Sequence, residues 1–476
     1  MTEGHSPGLR ANALGAADTA MMAVAGSAPA YSIAATTATL VAAAGLASPA
    51  ALLYCGIPML GIAWAFSYLG RAEVNAGASY AWVGRALHPA LGFLSGWALV
   101  VSATLFMVAG SLPAGALTLS LFSPDLAGNT ALVTVVGAGW FLVMAIVVLL
   151  GAHVTARVQW IMTGVEVAIL AGFVVAGFAR APQIAVQSFS WSWLGFGHFD
   201  GFGGFAAAAL VAAFYYWGWD VSANLNEETK SARRAAGAGG ITGVLVVLGL
   251  FLAFTVMVNM LLSADTIAAD SGNLLDVLGQ AIWPGAGGKI LSLAVMLSTI
   301  ATLETTLVQV TRTMFAMGRD RTLPAALGRT HPKWRTPWLA TVIVAAVALA
   351  LFVLSNFLGS VGTILTAAIS AIGLQIAFYY GLAGLAVVIT YRRELLKSVR
   401  NLVFVGLWPL LGAAFLLWIF IQAVLTNDAE VNAIGLGALA LGLVPMTIAW
   451  VRRSPYFTRH SEPVADPAPV AVPADT

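Results

Sequence analysis

The 476-residue chain is 60% hydrophobic and only 9% charged, with a formal net charge of +2. A soluble domain carries roughly 25% charged residues, so this composition excludes a soluble enzyme and points to a polytopic membrane protein. The single cysteine, Cys55, lies inside an apolar run and excludes an intramolecular disulfide. No Cys/His cluster suggests zinc, and neither a cofactor nor a nucleic-acid partner is expected.

Residues 1–18 are polar or small and include Glu3, Arg10 and Asp18. They read as a cytoplasmic N-terminal segment. The apolar run that follows has no cleavage pattern and is as long as later runs, so it is expected to be retained rather than removed as a signal peptide. Hydropathy predicts twelve transmembrane helices near 19–45, 49–70, 91–122, 131–151, 157–179, 202–225, 238–263, 288–312, 337–357, 362–390, 402–425 and 432–451. About 20 residues at ~1.5 Å each cross the roughly 30 Å hydrocarbon core. Residues 453–476 are polar, then rich in Pro and Ala, and are expected to be a disordered cytoplasmic tail.

The basic residues give an orientation. With the N-terminus in the cytoplasm, all of the 22 Lys and Arg except Arg180 and Lys289 fall on the inner side. Acids such as Asp125, Asp200, Asp265 and Asp428 fall on the outer side. One missed span would invert every later loop, so the expectation is a cell (inner) membrane protein with both termini cytoplasmic.

A chain of this kind has few activities open to it. The string PGAGGKI around Lys289 lacks the first glycine and the Ser/Thr of a phosphate-binding loop. There is no Gly-x-Ser-x-Gly elbow and no His pair at metal spacing, so the chain is not expected to be an enzyme. Secondary transport remains, and one of its marks is a pair of interrupted helices at corresponding positions in two halves. Span 1 carries Gly26-Ser27-Ala28-Pro29 in its middle, and span 6 carries Gly218 between Trp217 and Trp219, followed by Asp220. Pro29 has no N–H, so a carbonyl one turn earlier is freed. Gly26 lets the chain leave helical geometry. Spans 1 and 6 are five helices apart, which matches a 5+5 inverted repeat with two additional helices: 19–200, 201–400 and 401–452.

Three motifs resemble one family. NAGASYAWVGRALHPALGFLSGW (75–97), FYYWGWDVSANLNEETKSARR (214–234) and RTMFAMGRDRTLPAALGRTHPKWRTP (312–337) are similar, in order and spacing, to segments of the amino acid–polyamine–organocation (APC) family of permeases. The resemblance covers about residues 15–452. It implies a leucine-transporter-type fold, alternating access, and an amino acid or amine held between broken helices 1 and 6. An α-carboxylate is placed near Gly26, Ser27 and Ala28, beside Pro29. An ammonium is placed near the carbonyls of Phe214, Tyr215 and Trp217. Phe214 matches the family's aromatic gate. A Cβ at Gly26 or Gly218 would occupy the space through which substrate approaches. Each aromatic taken singly is equally consistent with helix packing.

Three acids lie deep in spans: Glu166, Asp220 and Glu304. An unpaired charge at the bilayer centre costs at least a few kcal/mol. Counting from Arg157 and Arg312 puts Glu166 and Glu304 at one depth, where two ionised carboxylates would repel. The resemblance implies that the helices carrying them line a coupling-ion site. Many proton-coupled relatives hold a Lys where this chain has Glu166. All three acids are therefore candidates for coupling to H+, with Na+ as the alternative. The expected function is proton-driven import of an amino acid; an amine or polyamine carrier and an exchanger without ion coupling are the alternatives. Glu227, Glu228, Arg312, Arg319 and Asp320 read as inner-face gate or loop anchors, and Ser102, Thr104, Ser370 and Gln375 as polar candidates for specificity.

Overall fold

A computed structural model describes residues 8–269, 271–355, 357 and 361–458. Among them there is no β-strand, only one isolated bridge between Leu14 and Thr229. Helices are what this composition demands, because backbone polar groups in hydrocarbon must be satisfied within their own segment. We label them α1 (Ala16–Gly26), α2 (Pro29–Ala44), α3 (Ser48–Ala72), α4 (Ser79–Ala86), α5 (Pro89–Ser120), α6 (Thr130–Leu150), α7 (Ala152–Ile184), α8 (Gly201–Tyr215) and α9 (Val221–Asn224). Then follow α10 (Ala232–Leu261), α11 (Leu274–Ile282), α12 (Gly287–Arg319), α13 (Trp338–Ser355), α14 (Val361–Thr390), α15 (Trp408–Thr426), α16 (Ala429–Leu441), α17 (Leu443–Val451) and α18 (Pro455–Thr458).

Ten helical stretches among the described residues are long and apolar enough to cross a membrane. The first, Ala16–Ala72, is 57 residues long. It is interrupted at Ser27–Ala28 and again at Gly45–Ala47. Gly201–Tyr215 is apolar but shorter. Ten are thus counted by length where twelve were expected: the expected spans 19–45 and 49–70 both fall within Ala16–Ala72, and 202–225 falls on the shorter Gly201–Tyr215. The expected interruptions are both present. α1 ends where Ala28 turns left-handed (φ 47°) and Pro29 opens α2. α8 ends at Tyr215, and Gly218 takes φ 92° before α9 begins. That angle is open to glycine at little cost.

The centre of the bundle is α12, whose residues from Ser298 to Gly318 are all buried. α5 and α7 pack on it, α14 lies against α5 and α15, and α10 packs on α3 and α1. Thr302 and Thr311 turn their hydroxyls back on the Ser298 and Leu307 carbonyls of α12. A polar sequence can therefore sit in the core without unpaired hydroxyls. At the periphery, only 17% of the most apolar window of Ala429–Val451 is buried, as a lipid-facing helix requires.

Both ends of the described chain are tied to the bundle. Residues 8–15 are anchored: Leu9 is buried, and Leu14 exchanges backbone hydrogen bonds with Glu228 and Lys230. The start of the expected disordered tail is also anchored. Ser454 donates to the Asp320 carbonyl (2.7 Å), and Tyr456 donates to the Tyr80 carbonyl (2.9 Å) and stacks on the Tyr80 ring. Its hydroxyl fills a notch where a Cβ on Gly84 or Gly92 would stand. Residues 1–7 and 459–476 lie outside the described residues.

Close approach of α5 and α6 depends on small residues, as is common between membrane helices. A Cβ on Gly137 would overlap the Ser111 carbonyl, whereas one on Gly139 would meet nothing within 4 Å. Gly137→Val should cost about 1–3 kcal/mol of stability and lower the melting temperature of the detergent-purified protein. Gly139→Val should leave that temperature unchanged.

Candidate functional site

The two breaks meet. A Cβ on Gly26 would overlap the Gly218 carbonyl, and one on Gly218 would overlap the carbonyl of Gly26. In this structure both positions exclude a side chain because the other backbone fills the space; the sequence alone suggests the approach of substrate as the reason. Thr302 of α12 donates to the Ala25 carbonyl at the end of α1 (2.9 Å), and Thr37 of α2 hydrogen-bonds Tyr215 (2.7 Å). Each broken end is thus tied to a neighbour, as buried helix termini require.

The expected carboxylate donors are already engaged. Ser27 N–H closes α1 on Ala23 and Val24, and Ala28 N–H donates to Ala25. Pro29 has none to offer. Ala30 N–H donates to Glu166 Oε1 at 2.9 Å, and Tyr31 N–H donates to Ser298 Oγ at 3.2 Å. Of the expected ammonium acceptors, the Phe214 carbonyl takes the Trp217 N–H.

Aromatic rings surround the breaks. Tyr31 meets Phe106 and Phe214 edge-on at centroid distances of 6.1 and 6.5 Å, and Phe106 meets Trp217 at 5.3 Å. Phe214 therefore belongs to this cluster. Tyr215 turns away from it to pack on Phe251 at 4.8 Å. Among the specificity candidates, Ser102 and Thr104 donate to carbonyls of their own helix, and Gln375 donates to Gly435 on α16, away from the breaks. Ser370 is half-buried.

All three deep acids are buried, but they do not share one site. Glu304 accepts from Gln159 (2.6 Å), seven residues before Glu166 on α7. Glu166 engages Ala30, with Ser298 beside it, six residues before Glu304 on α12. Six or seven residues are roughly 9–10 Å of helix, so the common depth expected from the sequence is not found. Counting in from Arg312 misled, because α12 remains buried for nearly two further turns. Asp220 forms a third site, accepting from Tyr380 (2.8 Å) and Tyr379 (3.1 Å) of α14. Tyr379 in turn accepts from the Trp217 indole (3.0 Å). The tyrosine pair, Gln159 and Ser298 were missed in the sequence. Polar residues in otherwise apolar spans are the signal that could have found them.

At the Arg-rich end, Arg312 grips Glu228 through two hydrogen bonds (2.9 and 3.2 Å) with both side chains buried. Arg319 grips Glu227 (3.0 and 3.1 Å), which also accepts from Ala76 N–H. Asn224 and Asn226 donate to the Ala76 and Asn75 carbonyls. The expected anchors are thus brought together. Asp320 joins them through its carbonyl, which holds Ser454.

A bundle of apolar helices with two breaks crossing at its centre defines a multi-pass membrane transporter rather than an enzyme. A family model described as amino acid permease matches residues 14–443, and the chain belongs to that family, within the APC group its motifs resemble. It is 26% identical over 311 residues to the serine/threonine exchanger SteT of Bacillus subtilis, covering 64% of this chain and 68% of SteT. It is 25% identical over 320 residues to the low-affinity putrescine importer PlaP of Escherichia coli, covering 63% of this chain and 66% of PlaP. It is 32% identical over 205 residues to the branched-chain amino acid permease BcaP of Bacillus subtilis, covering 42% of each chain.

Two predictions follow from the geometry. Gly218→Ala places a Cβ at a left-handed φ against the Gly26 backbone; the breaks should separate, and the melting temperature should fall whether or not solute is present. Arg312→Met or Glu228→Leu alone leaves a buried charge unpaired and should cost about 3–5 kcal/mol, whereas the double variant should recover most of that loss. Denaturant titration in detergent measures both.

Proposed function

We propose that the chain is a secondary active transporter that imports an amino acid or amine across the cell membrane by alternating access, driven by proton symport. The observation that carries this reading is the crossing of two broken helices at Gly26 and Gly218, walled by Tyr31, Phe106, Phe214 and Trp217. Broken helices at mid-membrane are where transporters hold substrate and coupling ions. We count twelve spans, with Ala16–Ala72 as two and α8 to α9 as one. Spans 1–5 and 6–10 form the inverted repeats, and α15 to α17 supply the two additional helices. The basic loops orient both ends to the cytoplasm, so the Glu228–Arg312 and Glu227–Arg319 pairs form the inner gate.

Protons are carried on the buried acids Glu166, Glu304 and Asp220, with Na+ as the competing ion. Asp220 is well suited, because it ties the break of the sixth span to α14 through Tyr379 and Tyr380. Movement of one element against the other changes its surroundings. A second reading, obligatory exchange, is favoured by the similarity to SteT, whose name describes an exchanger.

Proteoliposomes containing the full chain separate these readings. An inward proton gradient should drive accumulation of labelled amino acid or amine into empty vesicles. Uptake only into preloaded vesicles would replace symport with exchange, and accumulation that needs Na+ and ignores pH would replace the proton. Asp220→Asn keeps the size and one oxygen that accepts from a tyrosine, while its amide nitrogen can only donate and it cannot release a proton. It should retain counterflow and lose gradient-driven accumulation; accumulation at the parent level would make Asp220 structural.

A further inference from the structure

We propose that Glu166 stands where a substrate carboxylate would bind, so that this transporter selects amines that lack one. The inference rests on the transporter reading above and narrows its substrate class. The first N–H groups of a helix have no partner within it, and together with the dipole they attract an anion. In α2 every one is spoken for inside the protein. Ala28 N–H goes to the Ala25 carbonyl, Pro29 has no N–H, Tyr31 N–H goes to Ser298, and Ala30 N–H goes to Glu166 Oε1. The anion at this terminus is therefore a side chain of α7.

The second observation is the other oxygen of the same carboxylate. Glu166 is wholly buried, and its Oε2 takes no direct hydrogen bond from the described residues. Ser298, whose hydroxyl oxygen already accepts from Tyr31 N–H, lies beside the carboxylate. A buried carboxylate with one oxygen on a helix terminus and one without a donor is a receptor for a cation that donates hydrogen bonds. An ammonium group meets both needs. A second carboxylate brought to the same terminus would face Glu166 as a like charge.

The surrounding charge and surface agree. None of the ion pairs among the described residues neutralises Glu166, Asp220 or Glu304, and the wholly buried base Arg312 is committed to Glu228. Glu166 beside the first break and Asp220 beside the second are thus not offset by a base in any of these pairs. The rings of Tyr31, Phe106, Phe214 and Trp217 add faces that attract an ammonium.

The test uses pairs of compounds that differ only in the carboxylate: putrescine with ornithine, 3-methylbutylamine with leucine, and 2-phenylethylamine with phenylalanine. Labelled uptake into proteoliposomes of the full chain should favour the amine of at least one pair by about a hundredfold in kcat/KM, since like charges in a closed site are strongly rejected. Glu166→Ala frees the Ala30 N–H, and the preference should shrink at least tenfold as the amino acid gains and the amine loses. Glu166→Gln keeps the acceptor for Ala30 but drops the charge; it should weaken the amine about tenfold and still refuse the amino acid. A parent that prefers the amino acid of every pair overturns the inference and leaves the transporter reading intact, as does an unchanged ratio in both variants. If no compound enters, the transporter reading fails. Melting of the purified protein then decides the inference alone: stabilisation by the amine and not by its amino acid supports it, and the reverse or no stabilisation overturns it.

Discussion

The structure depends on one close approach, the contact of the Gly26 and Gly218 backbones where two broken helices cross. Neither break could be held by a helix running alone, because the freed N–H and C=O groups would have no water to satisfy them. Each is held by borrowing. α12 lends Thr302 to the end of α1 and Ser298 to the start of α2, and α7 lends Glu166. This explains why α12 is buried along two thirds of its length yet is rich in Ser and Thr. It is the inner scaffold from which the broken ends take their hydrogen bonds.

The three buried acids follow the same logic. Each connects different elements: Glu166 joins α7 to α2, Asp220 joins the break between α8 and α9 to α14, and Glu304 joins α12 to α7. A carboxylate shared between elements makes their relative position depend on its protons or on its ligand. The same residue can then be both a strut and a sensor, and each acid has at least one oxygen held by the neighbouring element, which lowers its cost in the bilayer.

Much of this was legible in the sequence. Apolar runs marked the helices, and Gly26-Ser27-Ala28-Pro29 and Trp217-Gly218 marked both breaks, since Pro without an N–H and Gly with free φ are local facts. Partnership across helices was not legible. It depends on tilt and axial offset, which side-chain packing sets. For that reason Glu166 and Glu304 read as neighbours in the sequence and are separated in the fold, and Gln375 read as a specificity residue while it serves α16. The short helices α4 and α11 were also missed; with eight and nine residues they leave no hydropathy signal.

The C-terminal anchor has a practical side. Tyr456 sits in the notch between Gly84 and Gly92, so the chain just beyond α17 acts as a peg holding α4 against the start of α5. A truncation or fusion junction placed at Arg452 would pull that peg and leave a hole beside Tyr80. Any engineered handle for purification or labelling therefore belongs beyond Thr458, where the peg stays seated.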